Sequence, residues 1–213
     1  MRFFPMIVLL FLQPAFGQSI TVFNASSVAD IIDKHSAKYK SFSGRFVYKK
    51  NNRTQSGTII YAVPDKLVMQ FGTANDPQNQ KIISDSRFLW IIDGDIIGRQ
   101  SLETVANPLG AWNIKRLISQ YTPTAPDTGL EIMYGSMPAY KIILEPKKNT
   151  TSFRRIELIA EKSGLIRQIS GISRVGIKTE LSISYNEFNQ EYDQKLFLVE
   201  TTEDSQIYDN IFN

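Results

Sequence analysis

Hydrophobic and polar positions change their period along this chain. From Ser26 to Tyr39 the residues Val28, Ile31, Ile32 and His35 recur at helical spacing and form one narrow apolar face. Ser26 or Ser27 is placed to cap this helix, with Asp30 in its first turn. After Lys40 the period becomes two. Phe42, Gly44, Phe46 and Tyr48 alternate with Ser43, Arg45, Val47 and Lys49, which predicts a half-buried strand. A turn through Asn51, Asn52 and Arg53 to Gly57 leads to a return strand over Thr58 to Val63, ended by Pro64 and Asp65.

The alternation then repeats. Leu67, Met69 and Phe71 interleave with Val68 and Gln70. Lys81 to Ser84 and Phe88 to Ile92 flank a hairpin turn at Asp85-Ser86-Arg87, and Asp93-Gly94-Asp95 makes another. The middle differs: Pro108 to Tyr121 has helical polarity, Asn107-Pro108 is a suitable start, and Pro123 and Pro126 end it. Strands return over Ala139 to Glu145, Phe153 to Ala160, Leu165 to Ile172, Lys178 to Phe188 and Lys195 to Val199. Many short strands, turn-rich separators and two helices predict a mainly β chain, a sandwich or barrel in one sheet system.

The first residues do not belong to that pattern. Met1-Arg2 is a short positive start, Phe3 to Leu12 is apolar but for Pro5, and Ala15 and Gly17 offer the small-x-small pattern of a signal-peptidase site. Residues 1–17 are therefore expected to be a cleaved signal peptide, leaving 18–213 as a single exported domain; the apolar run is short of the roughly 20 residues a bilayer needs. About 195 residues suffice for one core without disulfides, which matters because the chain has no cysteine. The same lack means that the mature N-terminus carries no acylated cysteine. Charge adds little: 24 Lys and Arg face 21 Asp and Glu, and the basic residues look scattered along the chain, which argues against nucleic acid.

Catalytic constellations are sparse. His35 is the only histidine, lies on a helix face, and is accompanied by no Gly-x-Ser-x-Gly elbow. Without cysteine or a second histidine the usual zinc sets are missing, and no phosphate-cradling glycine loop is present. Asp93 and Asp95 admit a calcium or general-acid reading, but a hairpin turn explains them more simply. No cofactor and no metal is expected, and catalytic residues are none.

What remains is apolar and aromatic. On a period-two reading Leu67, Met69, Phe71, Phe88, Trp90 and Ile92 point to one side of their strands. A sheet with one concave apolar face and a small helical cover has room for an elongated hydrocarbon, each buried methylene gaining roughly 0.8 kcal/mol. The same pattern also fits side chains packed against one another in a closed sandwich, and by itself it favours that simpler arrangement.

Four stretches resemble the outer-membrane lipoprotein carrier family, the LolA-like proteins. They are Ser41-Phe42-Ser43-Gly44-Arg45-Phe46; Gly57 to Pro64 followed by Leu67 and Met69; Ile82-Ile83-Ser84-Asp85-Ser86-Arg87-Phe88-Leu89-Trp90; and Leu144-Glu145-Pro146-Lys147. Together they run in the family's order over nearly the whole mature chain. The resemblance implies an unclosed, curved antiparallel β half-barrel covered by a short helical lid. It implies a periplasmic carrier and not an enzyme, a monomer whose cargo is acylated lipoprotein or lipid. An inner-membrane releasing ABC complex would load it and an outer-membrane acceptor would empty it. Candidate acyl-chain residues are then Phe46, Tyr48, Leu67, Met69, Phe71, Phe88, Trp90 and Ile92, and candidate lid residues Leu109, Trp112, Leu117 and Ile118.

The chain departs from the family at three of these positions. Val63 stands where the family has a lid-latching arginine, a role for which Arg45 offers a substitute. Met69 replaces an aromatic. Ser86 replaces the turn glycine, which suggests a different turn. Two further readings stay open: a lipid shuttle beside an exporter or an envelope lipid sensor on the same fold, and a secreted carboxylate hydrolase.

Overall fold

The computed structural model describes residues 23–72, 80–102, 114–148, 151–201 and 205–209. The segment expected to be a signal peptide, and Leu109 and Trp112 of the expected lid, lie outside them. Helix α1 (Ala25–Ser36) starts earlier than its periodicity suggests, because Asn24 is the cap. Its side chain accepts from the Ser27 amide at 2.9 Å while the Ser27 hydroxyl accepts from the Asn24 amide at 2.9 Å, a reciprocal capping box that satisfies two orphan donors. Val28, Ala29 and Ile32 are buried, and His35 is exposed, with Nδ1 2.7 Å from the Lys162 carbonyl oxygen.

Strands follow in meander order. The first run is β1 (Ser41–Lys50), β2 (Arg53–Ala62), β3 (Lys66–Phe71), β4 (Gln80–Asp85), β5 (Phe88–Asp93) and β6 (Ile96–Ser101). Helix α2 (Ile114–Gln120) precedes β7 (Tyr121–Thr124), β8 (Glu131–Tyr134), β9 (Met137–Pro146), β10 (Phe153–Glu161), β11 (Ile166–Ser173) and β12 (Lys178–Phe188). A 3-10 turn (Gln194–Phe197) and β13 (Gln206–Asp209) complete the described chain. The turn expected from Asn51 to Gly57 is confined to Asn51 and Asn52, since the β1–β2 ladder pairs all the way to Lys50 and Arg53.

Among the described residues thirteen strands form one sheet, ordered β13-β6-β5-β4-β3-β2-β1-β12-β11-β10-β9-β7, with β8 on β9. The two ends of that order do not pair with each other, so the sheet is an open half-barrel and not a closed barrel or sandwich. Every pairing is antiparallel except β13 on β6. Tyr121 opens β7 instead of ending a helix, and β7, β8 and β13 have no counterpart in the periodicity, each being four residues long.

One expected strand is absent. Lys195 to Val199 begins as the 3-10 turn, because the Asp193 carboxylate accepts from the Lys195 amide at 2.9 Å and starts a turn. This turn packs on β3 and β4 with Phe197 fully buried. The 3-10 turn thus lies on the outer face of the first half of the sheet, and β13 pairs at the β6 edge.

Register assigns the faces. Directly opposed residues share a face, so the inner face of the first half runs through Phe46–Gly57–Phe71 and Ile59–Met69–Ile82–Ile91. Gly57 is needed where it stands: a Cβ there would lie 1.9 Å from the Gln70 carbonyl oxygen and 2.9 Å from the Phe46 ring, which lies across the glycine. The approach lets β2 and β3 bend tightly. In the second half α1 and α2 pack on the inner face of β7 and β9, and with Ile142, Leu144, Ile156 and Leu158 make a second apolar cluster.

Gly57→Ala is expected to lower stability by about 2 kcal/mol or more, because the backbone of β3 must shift. Gly94→Ala, at φ +60 with nothing within 4 Å, costs only the left-handed backbone, about 1 kcal/mol. Urea unfolding of the two variants measures the difference.

Candidate lipid-binding cavity

The concave wall of the first half is predominantly apolar, with Ser84 and Gln100 as buried polar side chains on its Leu67–Ser84–Leu89–Gln100 row. Phe46, Leu67, Met69 and Phe71 are buried on it, joined by Phe42, Ile59, Tyr61, Leu89, Leu181 and Ile183, with Tyr48 half-buried beside them. Aromatic rings tie the curved strands together: Phe46 meets Phe71 edge-on at 4.9 Å, Tyr48 meets Phe71 at 6.2 Å, and Phe42 stacks on Tyr61 at 5.1 Å. The five expected wall residues Phe46, Tyr48, Leu67, Met69 and Phe71 therefore share one face.

Phe88, Trp90 and Ile92 do not share it. Leu67 pairs with Ser84 and Ser84 with Leu89, which puts Leu89 and Ile91 inside and their even-numbered neighbours outside. Trp90 is committed to the convex face: its indole N–H donates to the Asp85 carboxylate at 2.9 Å, and the Arg99 guanidinium lies 5.4 Å from its ring and 5.1 Å from that of Phe88. Arg99 in turn holds Asp209 of β13 through two hydrogen bonds of 2.7 and 3.0 Å. The reason for the misassignment is physical. Phe88 to Ile92 is an unbroken apolar run, the signature of a strand covered on both faces, and the C-terminal segment supplies part of the second cover. Leu89 and Ile91 were visible in that run as equal candidates.

Leu117 is buried and Ile118 half-buried on α2, both packed into the cluster with α1, so these two lid candidates sit over the second half of the inner face. Arg45 is exposed and lies on the convex face, opposite Thr58 and Ser184. It is on the wrong side of the sheet to stand in for the family's arginine. Ser86 keeps the glycine-type conformation, φ +80. The turn holds because the Asp85 carboxylate accepts from the Arg87 and Phe88 amides at 2.8 and 2.7 Å and the Ser86 hydroxyl donates to the Pro64 carbonyl. The expectation of an altered turn is thereby corrected. Asp93 and Asp95 flank Gly94, φ +60, as an ordinary hairpin turn.

A cleft of roughly 260 Å3 opens at one end of the sheet, where the C-terminal end of α1 and the β10–β11 turn meet β1, β2 and β12. Phe42, Tyr61 and Tyr185 line it, with Asp33, Tyr39 and Lys40 among its polar and rim residues. Gly164, φ +90, lets the β10–β11 turn approach α1, a Cβ there falling 2.4 Å from the Ser36 amide nitrogen. Burial, and after it the Asp65 carboxylate, push the Tyr61 phenol up to about 12. Burial likewise raises Tyr185, whose hydroxyl donates to the Ile166 carbonyl at 2.5 Å. An arginine does meet this aromatic wall: Arg167, at a register break between β10 and β11, lies 5.1 Å from the Tyr185 ring and ion-pairs with Glu161.

An open antiparallel sheet curved around an apolar inner face, with short helices packed within the curve, defines the LolA-like class of half-barrel. Residues 37–200 match the family described as outer membrane lipoprotein carrier protein LolA, and the chain belongs to that family. Its members are periplasmic lipid and lipoprotein carriers and not enzymes. No curated protein matches the chain. Among solved structures, a conserved uncharacterized protein from Thermus thermophilus superposes with a TM-score of 0.55 at 9% identity over 87% of this chain and 99% of its own. A LolA superfamily protein from Nitrosomonas europaea gives 0.47 at 11% over 83% and 98%. The lipoprotein LppX of Mycobacterium tuberculosis gives 0.47 at 11% over 78% and 96%. No helix among the described residues is long and apolar enough to cross a membrane.

The tyrosines of the cleft set an alkaline limit. The fold favours the neutral phenol of Tyr61, so this stabilisation is whole below pH 10 and is lost as pH rises through about 12. Urea midpoints measured across that range should fall, and Tyr61→Phe should flatten part of the fall.

Proposed function

We propose that this protein is a periplasmic carrier that takes the acyl chains of lipoproteins into the half-barrel and moves them from the inner to the outer membrane. In this reading residues 1–17 are removed on export and 18–213 act as one monomeric domain. An inner-membrane ABC complex loads the carrier and an outer-membrane acceptor unloads it. The observation that carries the proposal is the predominantly apolar inner face, in which Phe46, Leu67, Met69 and Ile91 line one wall and the aromatic cleft opens its end. Acyl chains need no specific polar contact there, since each methylene contributes roughly 0.8 kcal/mol by leaving water. Met69 adds an adaptable, polarizable surface where an aromatic would be rigid. Leu117 and Ile118 belong to the helical cover that must yield for a chain to enter, a change driven by the difference in cargo affinity between the two states.

Two adjacent residues test the wall. Ile91→Asn is expected to weaken binding of a fluorescent fatty acid about tenfold, and Trp90→Ser to leave it unchanged, with circular dichroism β-rich in both. Equal effects of the two would remove the inner face from the site. Native mass spectrometry of the protein taken from the periplasm names the cargo. Bound acylated lipoprotein supports the carrier, whereas free phospholipid or glycolipid replaces it with an exporter-linked shuttle or a lipid sensor.

A further inference from the structure

We propose that the end of the sheet opposite the aromatic cleft is a docking surface for an anionic lipid bilayer. Antiparallel order brings three hairpin turns together there. The Asn51 amide donates to the Lys178 carbonyl at 2.9 Å and the Arg174 amide to the Ser152 carbonyl at 3.2 Å, which ties the β1–β2, β11–β12 and β9–β10 turns side by side. The β1–β2 hairpin carries Lys49, Lys50 and Arg53. The β9–β10 hairpin carries Lys147, Lys148, Arg154 and Arg155, and the β11–β12 turn carries Arg174 and Lys178. All of these are exposed.

Their charge is largely uncompensated. Among the described residues only Lys49 of this group meets a carboxylate, Glu180 at 2.8 Å. Arg174 donates to the Thr151 and Lys148 carbonyls at 2.7 and 3.4 Å, and Lys147 to the Ile118 carbonyl at 2.7 Å, bonds that orient the cations without neutralising them. The carboxylates nearby on the same strands are Glu145, Glu157 and Glu180, and Glu157 is held by Lys141 at 2.9 Å. Asp93 and Asp95 stand at this end too, but beyond β2, β3 and β4.

A second feature separates a bilayer from an acidic protein as the partner. Val175, at the tip of the β11–β12 turn between Arg174 and Lys178, is 82% exposed. An apolar tip ringed by cations matches the layered chemistry of a membrane surface, where the tip enters the acyl boundary and the cations meet phosphates. A groove of about 340 Å3 behind the tips, lined by Lys49, Arg155, Lys178 and Gly171 with Glu157 and Glu180 beside them, leaves room for a headgroup. Docking at this end leaves the cleft at the other end uncovered.

Co-sedimentation of the full chain with vesicles tests the assignment. Binding is expected to phosphatidylglycerol–phosphatidylcholine vesicles and not to phosphatidylcholine alone, falling with salt as the charges are screened. Replacing Lys50, Lys148, Arg154 and Lys178 by serine should lower the partition roughly fivefold per cation, and Val175→Ser should lower it several-fold. These variants should keep fatty-acid binding, while Ile91→Asn should weaken it about tenfold and keep vesicle binding, so failure here and failure of the carrier reading are distinguishable. Absence of binding at low salt, binding that ignores the four serine substitutions, or equal binding to soluble poly-glutamate would overturn the bilayer assignment.

Discussion

Pairing of β1 with β12 joins the two halves of the sheet, and the rest of the molecule depends on it. The ladder runs from Phe42 opposite Phe188 to Lys50 opposite Thr179, with one register break at Ser43 and Gly44. It sets Phe46 beside Ile183 and Tyr48 beside Leu181, so the apolar face of the N-terminal meander continues into that of the C-terminal one. A slip of one residue would turn every one of those side chains to the other face. The pairing is long-range, and its loop-closure cost is met by contacts made only when the whole sheet assembles.

Curvature follows from what that face contains. Large rings at Phe46, Phe71 and Tyr185 crowd the concave side, and glycines at their partner positions, Gly57 and Gly44, give them room. Gly57 lies under the Phe46 ring, and Gly44 passes so close to β12 that a Cβ would meet the Ser184 carbonyl oxygen at 2.4 Å. The sheet bends at these points, yet its edges stay apart. One edge is β7, and the other is capped by the short parallel strand β13, whose Asp209 is held by Arg99. An exposed edge is a template for unwanted pairing, and a short strand with a charged tie blunts it.

The two faces of the first half have different tasks. Inside, Leu67, Met69, Leu89 and Ile91 make an apolar wall. Outside, Phe197 of the 3-10 turn is buried near Lys66, whose ammonium lies 5.8 Å from its ring, and Trp90 is engaged by Asp85 and Arg99. Burial on both sides explains why β3 to β6 carry apolar residues at odd and even positions alike. It also explains why pattern alone could not tell which set faces the cavity.

The residue pattern by itself determined a good deal: an α1 at the start, most strands within a few residues, the hairpin turns, an open curved sheet by family resemblance, and a set of eight candidates of which five share the inner face of the sheet. Those features are local, because alternation, capping and turn chemistry act over a few residues and survive without knowledge of distant partners. Tertiary structure decided the rest. Register alone sent Phe88, Trp90 and Ile92 outward and Leu89 and Ile91 inward, and placed Arg45 on the convex face. Topology alone gathered Lys49, Arg154, Arg174 and their neighbours, scattered over more than a hundred positions of sequence, onto one end of the sheet. Four-residue strands such as β7 and β13 owe their conformation to the edge they pair with, so their own residues carried no sign of it.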